Sequence, residues 1–61
     1  MKYKITFFTG KKEEVESKIV NNVTHGFSIS GQFIQFLGAA KDEIKFAINI
    51  DSVLYIELME K

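Results

Sequence analysis

Residues 44–58 read IKFAINIDSVLYIEL, and this stretch decides the fold. Its first half alternates apolar and polar side chains, which is the period-two pattern of a strand with one buried face. Asp51 and Ser52 interrupt the alternation, and residues 53–58 follow as a segment that is apolar on both faces as far as Glu57. The stretch therefore predicts two strands joined by a turn that is too short for a free hairpin.

The corner in residues 48–56 resembles the junction between the last two strands of small five-stranded barrels of the Sm and Src-homology kind. This resemblance is architectural, and it implies a strongly bent antiparallel sheet or an Sm-like barrel. It also raises the hypothesis of an Sm-like nucleic-acid binder. The glycine typical of the second Sm motif is missing from the corner, which weighs against RNA binding.

Two further β segments precede the corner. At the amino terminus, Tyr3, Ile5 and Phe7 alternate with polar side chains, which predicts a strand with one buried face. In residues 26–36, apolar side chains recur at spacings of two or four around Gly31. Glycine in a strand interior packs nothing, so we expect one strand that bends sharply at Gly31.

Residues 11–22 support two interpretations. As a helix, the segment places Val15, Ile19 and Val23 on one face. As a strand, it forms a hairpin with the first strand through a tight turn at residues 9–10. We favour the hairpin, which gives an all-β fold of about five antiparallel strands. The alternative is a β-α-β-β-β fold with a helix over residues 11–22.

The length and composition of the chain limit its class. Sixty-one residues predict a single β-rich domain, 1–61, with a core so small that association with a partner is expected. Cysteine is absent, which excludes disulfides and thiolate ligands, and we expect neither a metal nor a cofactor. No segment has the length and hydropathy of a signal peptide or a membrane span, so we expect a cytoplasmic protein.

The composition of the charged residues makes nucleic acid an unfavourable partner. Lysines and acidic residues balance at eight each, and arginine, whose planar fork reads phosphate and guanine, is missing. Tryptophan and proline are missing too, and the composition resembles that of small proteins of low-GC bacteria and their phages. We therefore expect a phage-like or mobile-element protein that acts without membrane contact.

The chemistry of the side chains predicts no enzyme. His25 is the single histidine, and it lies in a predicted loop without a serine or cysteine at a motif spacing. The carboxylates are scattered, and nothing in their spacing predicts the convergence that a metal or glycosidase site requires. Catalytic residues are therefore not assigned.

A small anionic ligand, such as a nucleotide, is the second hypothesis for the function. An oligomer would bind such a ligand at a subunit interface, through the polar loop near His25, the aromatic face of Tyr55 and Lys11 or Lys12. The candidate residues for this ligand site are Lys11, Lys12, Thr24, His25, Ser28, Ser30 and Tyr55.

The aromatic content gives the leading hypothesis. Six phenylalanines and two tyrosines exceed what a small core needs. Neighbouring residues of a strand point to opposite faces, so either Leu54 or Tyr55 must point away from the core. We therefore predict a non-enzymatic interaction module that forms a homo-oligomer, or binds a protein partner, through an outward apolar face. The predicted interface residues are Ile34, Phe36, Leu54, Ile56 and Met59.

Overall fold

Six strands and one short 3₁₀ helix form the described part of the chain, which comprises residues 1–10, 13–40 and 42–61 of a computed structural model. The elements are β1 Lys2–Thr9, β2 Glu14–Val20, β3 Phe27–Ser30, β4 Phe33–Leu37, β5 Ile44–Asn49, the 3₁₀ helix η1 Ile50–Ser52 and β6 Val53–Glu60. These described residues contain no α-helix. The predicted all-β class is confirmed.

The strands form two antiparallel sheets of three strands each. Sheet A has the strand order β2-β1-β6, and sheet B has the order β3-β4-β5. The predicted antiparallel architecture is confirmed. The described strands do not, however, form the predicted five-stranded bent sheet or a closed Sm-like barrel.

The additional strand arises at Gly31. Ser30 pairs with Phe33, so Gly31 and Gln32 are the two central residues of a hairpin turn. Gly31 has a φ of 60°, and Gln32 keeps a negative φ. This combination is that of a type II′ turn, which reverses the chain and matches the twist of the flanking strands. The prediction of one strand bent at Gly31 was therefore wrong, because the chain turns back there.

Residues 14–20 form β2, which pairs with β1 along its whole length. The hairpin interpretation is confirmed, although its turn is not at residues 9–10, because Thr9 still pairs with Glu14. The helix over residues 11–22 is wrong wherever the structure describes that range. Cross-strand pairs supply the physical reason. The β-branched Val15 lies directly opposite Phe8 on β1, and β-branched side chains pack well on a pleated surface.

The connection between β2 and β3 separates the two sheets. Val23 donates its N–H to the Met1 carbonyl at 2.9 Å, and the amino group of Met1 donates to the Val23 carbonyl at 2.8 Å. One residue later, the Thr24 N–H donates to the carbonyl of Leu37 in sheet B at 3.0 Å. Adjacent residues thus bond to different sheets, so β2 and β3 are not one continuous strand, and a closed barrel does not form.

The corner between β5 and β6 has the tight geometry that the sequence predicts. Asn49 caps η1, because its side-chain oxygen Oδ1 accepts a hydrogen bond from the Asp51 N–H at 2.8 Å. The Ile50 N–H donates to the carbonyl of Gln32 at 2.7 Å, which ties the corner to the β3–β4 turn. This single turn carries the chain from sheet B back to sheet A.

The core lies between the sheets and centres on Phe36, which is fully enclosed together with Ile5 and Val23. The Phe36 ring lies 5.3 Å from the ring of Tyr3 and 5.5 Å from that of Phe27, measured between centroids. Burial of each such side chain stabilises the fold by about 1.5–3 kcal/mol. The tilted aromatic contacts add to this and join sheet B to sheet A.

Candidate functional site

Exposed apolar side chains are the main surface feature of the molecule. Of the described residues, six hydrophobic ones are buried in the core. The large apolar side chains that remain exposed are those of Met1, Val15, Ile19, Phe27, Ile29, Phe33, Ile44, Leu54, Tyr55, Leu58 and Met59. Contiguous apolar surface on a soluble protein is typical of interaction sites, so their distribution over the strands matters more than their number.

Strand β6 carries the densest group of these side chains. Leu54, Tyr55, Leu58 and Met59 are each between 43 and 55 % exposed, and Ile56 between them is half-buried. We call these five residues the β6 surface. They lie close together on a single strand of eight residues and form an apolar strip that Glu57 interrupts.

Both faces of β6 contribute to this strip. Ile56 lies opposite Ile5, and Leu58 lies opposite Tyr3, so both point toward the inner face of sheet A. Tyr55 lies opposite Thr6 and points to the outer face. Leu58 is exposed although it points inward, which shows that sheet B does not cover the inner face at this margin.

Strand β6 is also an edge of its sheet. Among the described strands it pairs with β1 alone, so its other side presents unpaired backbone N–H and C=O groups. The ladder to β1 is irregular near both ends of β6, where Leu54 and Met59 are the extra residues, and it is regular over residues 55–58. An apolar edge with free backbone groups is a template for pairing with another strand.

The opposite edge of sheet A has a different character. On β2, Glu16 lies opposite Phe7 and Lys18 lies opposite Ile5, so both charged side chains point toward the inner face. The Lys18 ammonium lies 5.5 Å from the centroid of the Phe46 ring, in cation–π geometry. Inward-pointing charges are a known device that protects an edge strand from pairing.

The two edges of sheet B offer less to a partner. Strand β3 is only four residues long. Strand β5 carries Lys45 at the point where its ladder to β4 shifts register. Short strands, lysine and bulges each discourage edge pairing. Of the four edges in the described structure, β6 carries the most exposed large apolar side chains, four against one or two on each of the others, although Glu57 lies in its regular stretch and both its ends are irregular.

The predicted interface residues fall into two groups. Ile34 and Phe36 are buried in the core, so the prediction that they point outward was wrong. The physical reason is the Gly31 turn, which sets their side of β4 toward β1 and places Phe33 outside instead. Leu54 and Met59 are exposed, and Ile56 is half-buried on β6.

Within one copy of the chain, the described candidates for the ligand site are not brought together. Ser28 and Ser30 are exposed on the outer face of sheet B, whereas Tyr55 lies on the outer face of sheet A. Thr24 lies in the connection between β2 and β3, where its hydroxyl donates to the Asn22 carbonyl at 3.5 Å. Two further candidates, Lys11 and Lys12, lie outside the described residues.

His25 has a structural contact. Its Nδ1 lies 2.7 Å from the carbonyl oxygen of Gly38, and because a carbonyl only accepts, Nδ1 carries the proton and donates. The same loop is closed by the Ala39 N–H, which donates to Glu43 Oε1 at 2.8 Å. The imidazole thus fixes the β4–β5 loop against the β2–β3 connection.

The remaining chemistry of the described residues is sparse. Residues 1–10, 13–40 and 42–61 hold no group of three His, Asp or Glu side chains placed to bind a metal ion. An open depression lies at the β1–β2 turn, lined by Thr9, Gly10, Glu13 and Glu14. In the same part of the chain, no helix is long and apolar enough to cross a membrane.

Comparisons with protein-family models, curated proteins and solved structures found no match. The chain's own residues therefore carry the argument for its function.

Proposed function

We propose that this chain is a non-enzymatic interaction module that self-associates through the β6 surface, with a second copy of the chain as its partner. The observation that carries the proposal is the character of the β6 edge. It combines unpaired backbone groups with apolar side chains on both faces, and it contains no lysine. Pairing with another strand satisfies the backbone groups and buries the side chains in one step.

The size of the core supports the same proposal. Among the large side chains of the described residues, only Ile5, Val23 and Phe36 are completely enclosed. A chain of 61 residues is also close to the limit for independent stability. Each apolar side chain that a second copy covers adds about 1.5–3 kcal/mol when burial is complete. Self-association thus supplies burial that one copy lacks.

The test uses size-exclusion chromatography with light scattering on the wild-type chain and two variants. We expect the wild type to be a dimer or larger at micromolar concentration. Leu58→Lys places a charge on the inner face of the β6 edge, and we expect it to raise the dissociation constant at least about 100-fold.

The matched control is Val15→Lys on the outer face of β2, since Val15 is 53 % exposed and Leu58 is 47 % exposed. We expect this control to associate like the wild type. Circular dichroism of both variants confirms that each is folded. A monomeric wild type, or a Leu58→Lys variant that associates as well as the control, overturns the proposal.

A further inference from the structure

We infer that two copies pair β6 against β6 in an antiparallel ladder. Ile56 faces the partner's Ile56 in this ladder, and the two-fold axis lies midway between them. This inference rests on the proposed self-association and adds its geometry. It continues sheet A of one copy into sheet A of its partner. The register follows from three considerations: the symmetry of the pair, the side chains that face each other, and the charges at the strand ends.

Symmetry limits the register first. A two-fold axis perpendicular to the sheet keeps the inner face of one copy continuous with the inner face of the other. Residues that face each other across the ladder then point to the same side, so the axis lies midway between one residue and its own copy in the partner. Within the regular stretch 55–58, the interior choices for that residue are Ile56 and Glu57, with Tyr55 and Leu58 as the choices at its two ends.

The facing side chains then select Ile56. An axis at Glu57 sets this carboxylate directly opposite the partner's Glu57, and like charges directly opposite each other are destabilising. An axis at Tyr55 sets Leu58 opposite the partner's Ser52, which lies in η1 and is not extended. Both Leu58 and Met59 then lie beyond the end of the partner strand. An axis at Leu58 sets the apolar Ile56 opposite the partner's charged Glu60.

An axis at Ile56 avoids these unfavourable pairings. Ile56 faces the partner's Ile56, and Leu54 faces the partner's Leu58. Val53 faces the partner's Met59, so the apolar residues of the strip meet apolar residues. The one charged side chain in the regular stretch, Glu57, faces the partner's Tyr55 and is opposed by no second charge.

The charges at the strand ends agree with this register. In this register Lys61, directly after β6 of one copy, lies near the start of the partner's β6, and Asp51 lies in η1 directly before that start. Both side chains are exposed in the single chain. The symmetric pair therefore brings opposite charges near each other at each end of the ladder. Exposed ion pairs add little affinity, but they discriminate between registers.

Disulfide trapping tests this register, and the cysteine-free sequence makes each single-cysteine variant unambiguous. Directly opposed residues of an antiparallel pair have Cα atoms about 4.5–5.5 Å apart, within the range for a disulfide. We expect Ile56→Cys to form a covalent dimer under mild oxidation. Tyr55→Cys and Glu57→Cys each lie about 8 Å from their own copy in the partner, which is too far.

A mixture of Tyr55→Cys and Glu57→Cys provides a second readout at two exposed positions, so the test does not depend on the folding of Ile56→Cys. We expect this mixture to crosslink while each variant alone does not. Ser28→Cys, on the outer face of sheet B, is the negative control. Light scattering on the reduced samples tests self-association separately from the register.

The outcomes are distinct. A dimer in which Tyr55→Cys or Glu57→Cys alone crosslinks, or in which none of the β6 variants crosslinks, overturns the register and leaves self-association standing. A wild-type chain that is monomeric in light scattering overturns both. Crosslinking of Ile56→Cys, and of the mixed pair, above the Ser28→Cys control supports the register.

Discussion

Strands β2 and β6 flank the same central strand, have nearly the same length and each leave one side unpaired, yet their edges differ in character. On the inner face, β2 presents Glu16 and Lys18, whereas β6 presents Ile56 and Leu58. A strand that added to β2 would have to bury two charges, which is costly without full pairing. On our proposal, the side chains that face inward decide which edge is open to a partner.

The largest expected effect comes from the core that lies between the two sheets. Phe36→Ala opens a cavity there, at the centre of the aromatic cluster. We expect a loss of about 3–5 kcal/mol in the free energy of unfolding, measured by urea denaturation at a fixed protein concentration.

The matched variant Phe33→Ala lies on the outward side of the same strand, where Phe33 is 48 % exposed. We expect it to cost less than about 1 kcal/mol. Equal losses for the two variants would contradict the assignment of Phe36 to the core and of Phe33 to the surface.

The second prediction removes the difference between the edges. The double substitution Glu16→Val and Lys18→Ile leaves the net charge unchanged and makes the inner side of β2 apolar. Each copy then has two open edges, so we expect sedimentation velocity to detect species larger than those of the wild type.

Ser17→Val is the control for this experiment, because Ser17 lies on the same strand but points to the outer face, opposite Thr6. We expect this variant to sediment like the wild type. If the double variant also sediments like the wild type, inward-pointing charge is not what protects β2.

The smallest expected effect concerns the corner that leads into β6. Asn49→Ala removes the hydrogen bond from the Asp51 N–H to Asn49 Oδ1. We expect a loss of about 1 kcal/mol in the free energy of unfolding. Asp51→Ala keeps the backbone donor and the cap, so its loss should be smaller. An equal or greater loss for Asp51→Ala would show that the cap does not stabilise the corner.

Much of the fold was predictable from local patterns. The alternation of Tyr3, Ile5 and Phe7 predicts β1, and the inward side of that strand is indeed the one that meets the core. The Asp51-Ser52 interruption predicts the corner, because one short polar break between two apolar runs leaves room for a single turn only.

The wrong predictions concern the chain at Gly31 and the assignment of the strands to sheets. A glycine at positive φ is compatible with a bend, a bulge or a two-residue turn, and sequence spacing around Gly31 does not separate these. The sequence also did not decide which of Phe33 and Phe36 faces the core, and Phe36 was assigned to the surface. The separation of β2 from β3 depends on hydrogen bonds of Val23 and Thr24 to residues far along the chain, which no local pattern encodes.

The candidate surface was predictable in part, for a related reason. Leu54 and Met59 were identified because β6 is apolar on both faces. The exposure of Leu58 was missed, since it depends on how far sheet B extends over sheet A. The inward charges of β2 were missed too, because the direction of Glu16 and Lys18 follows from their register with β1.

Amide hydrogen exchange, followed by NMR at high and low protein concentration, tests the difference between the two edges most directly. In the associated state, we expect slow exchange for those amides of residues 55–58 that point away from β1, and fast exchange after dilution. The outward amides of β2 should exchange fast at both concentrations. Equal exchange at the two edges, or slow exchange at β2 alone, would contradict the account.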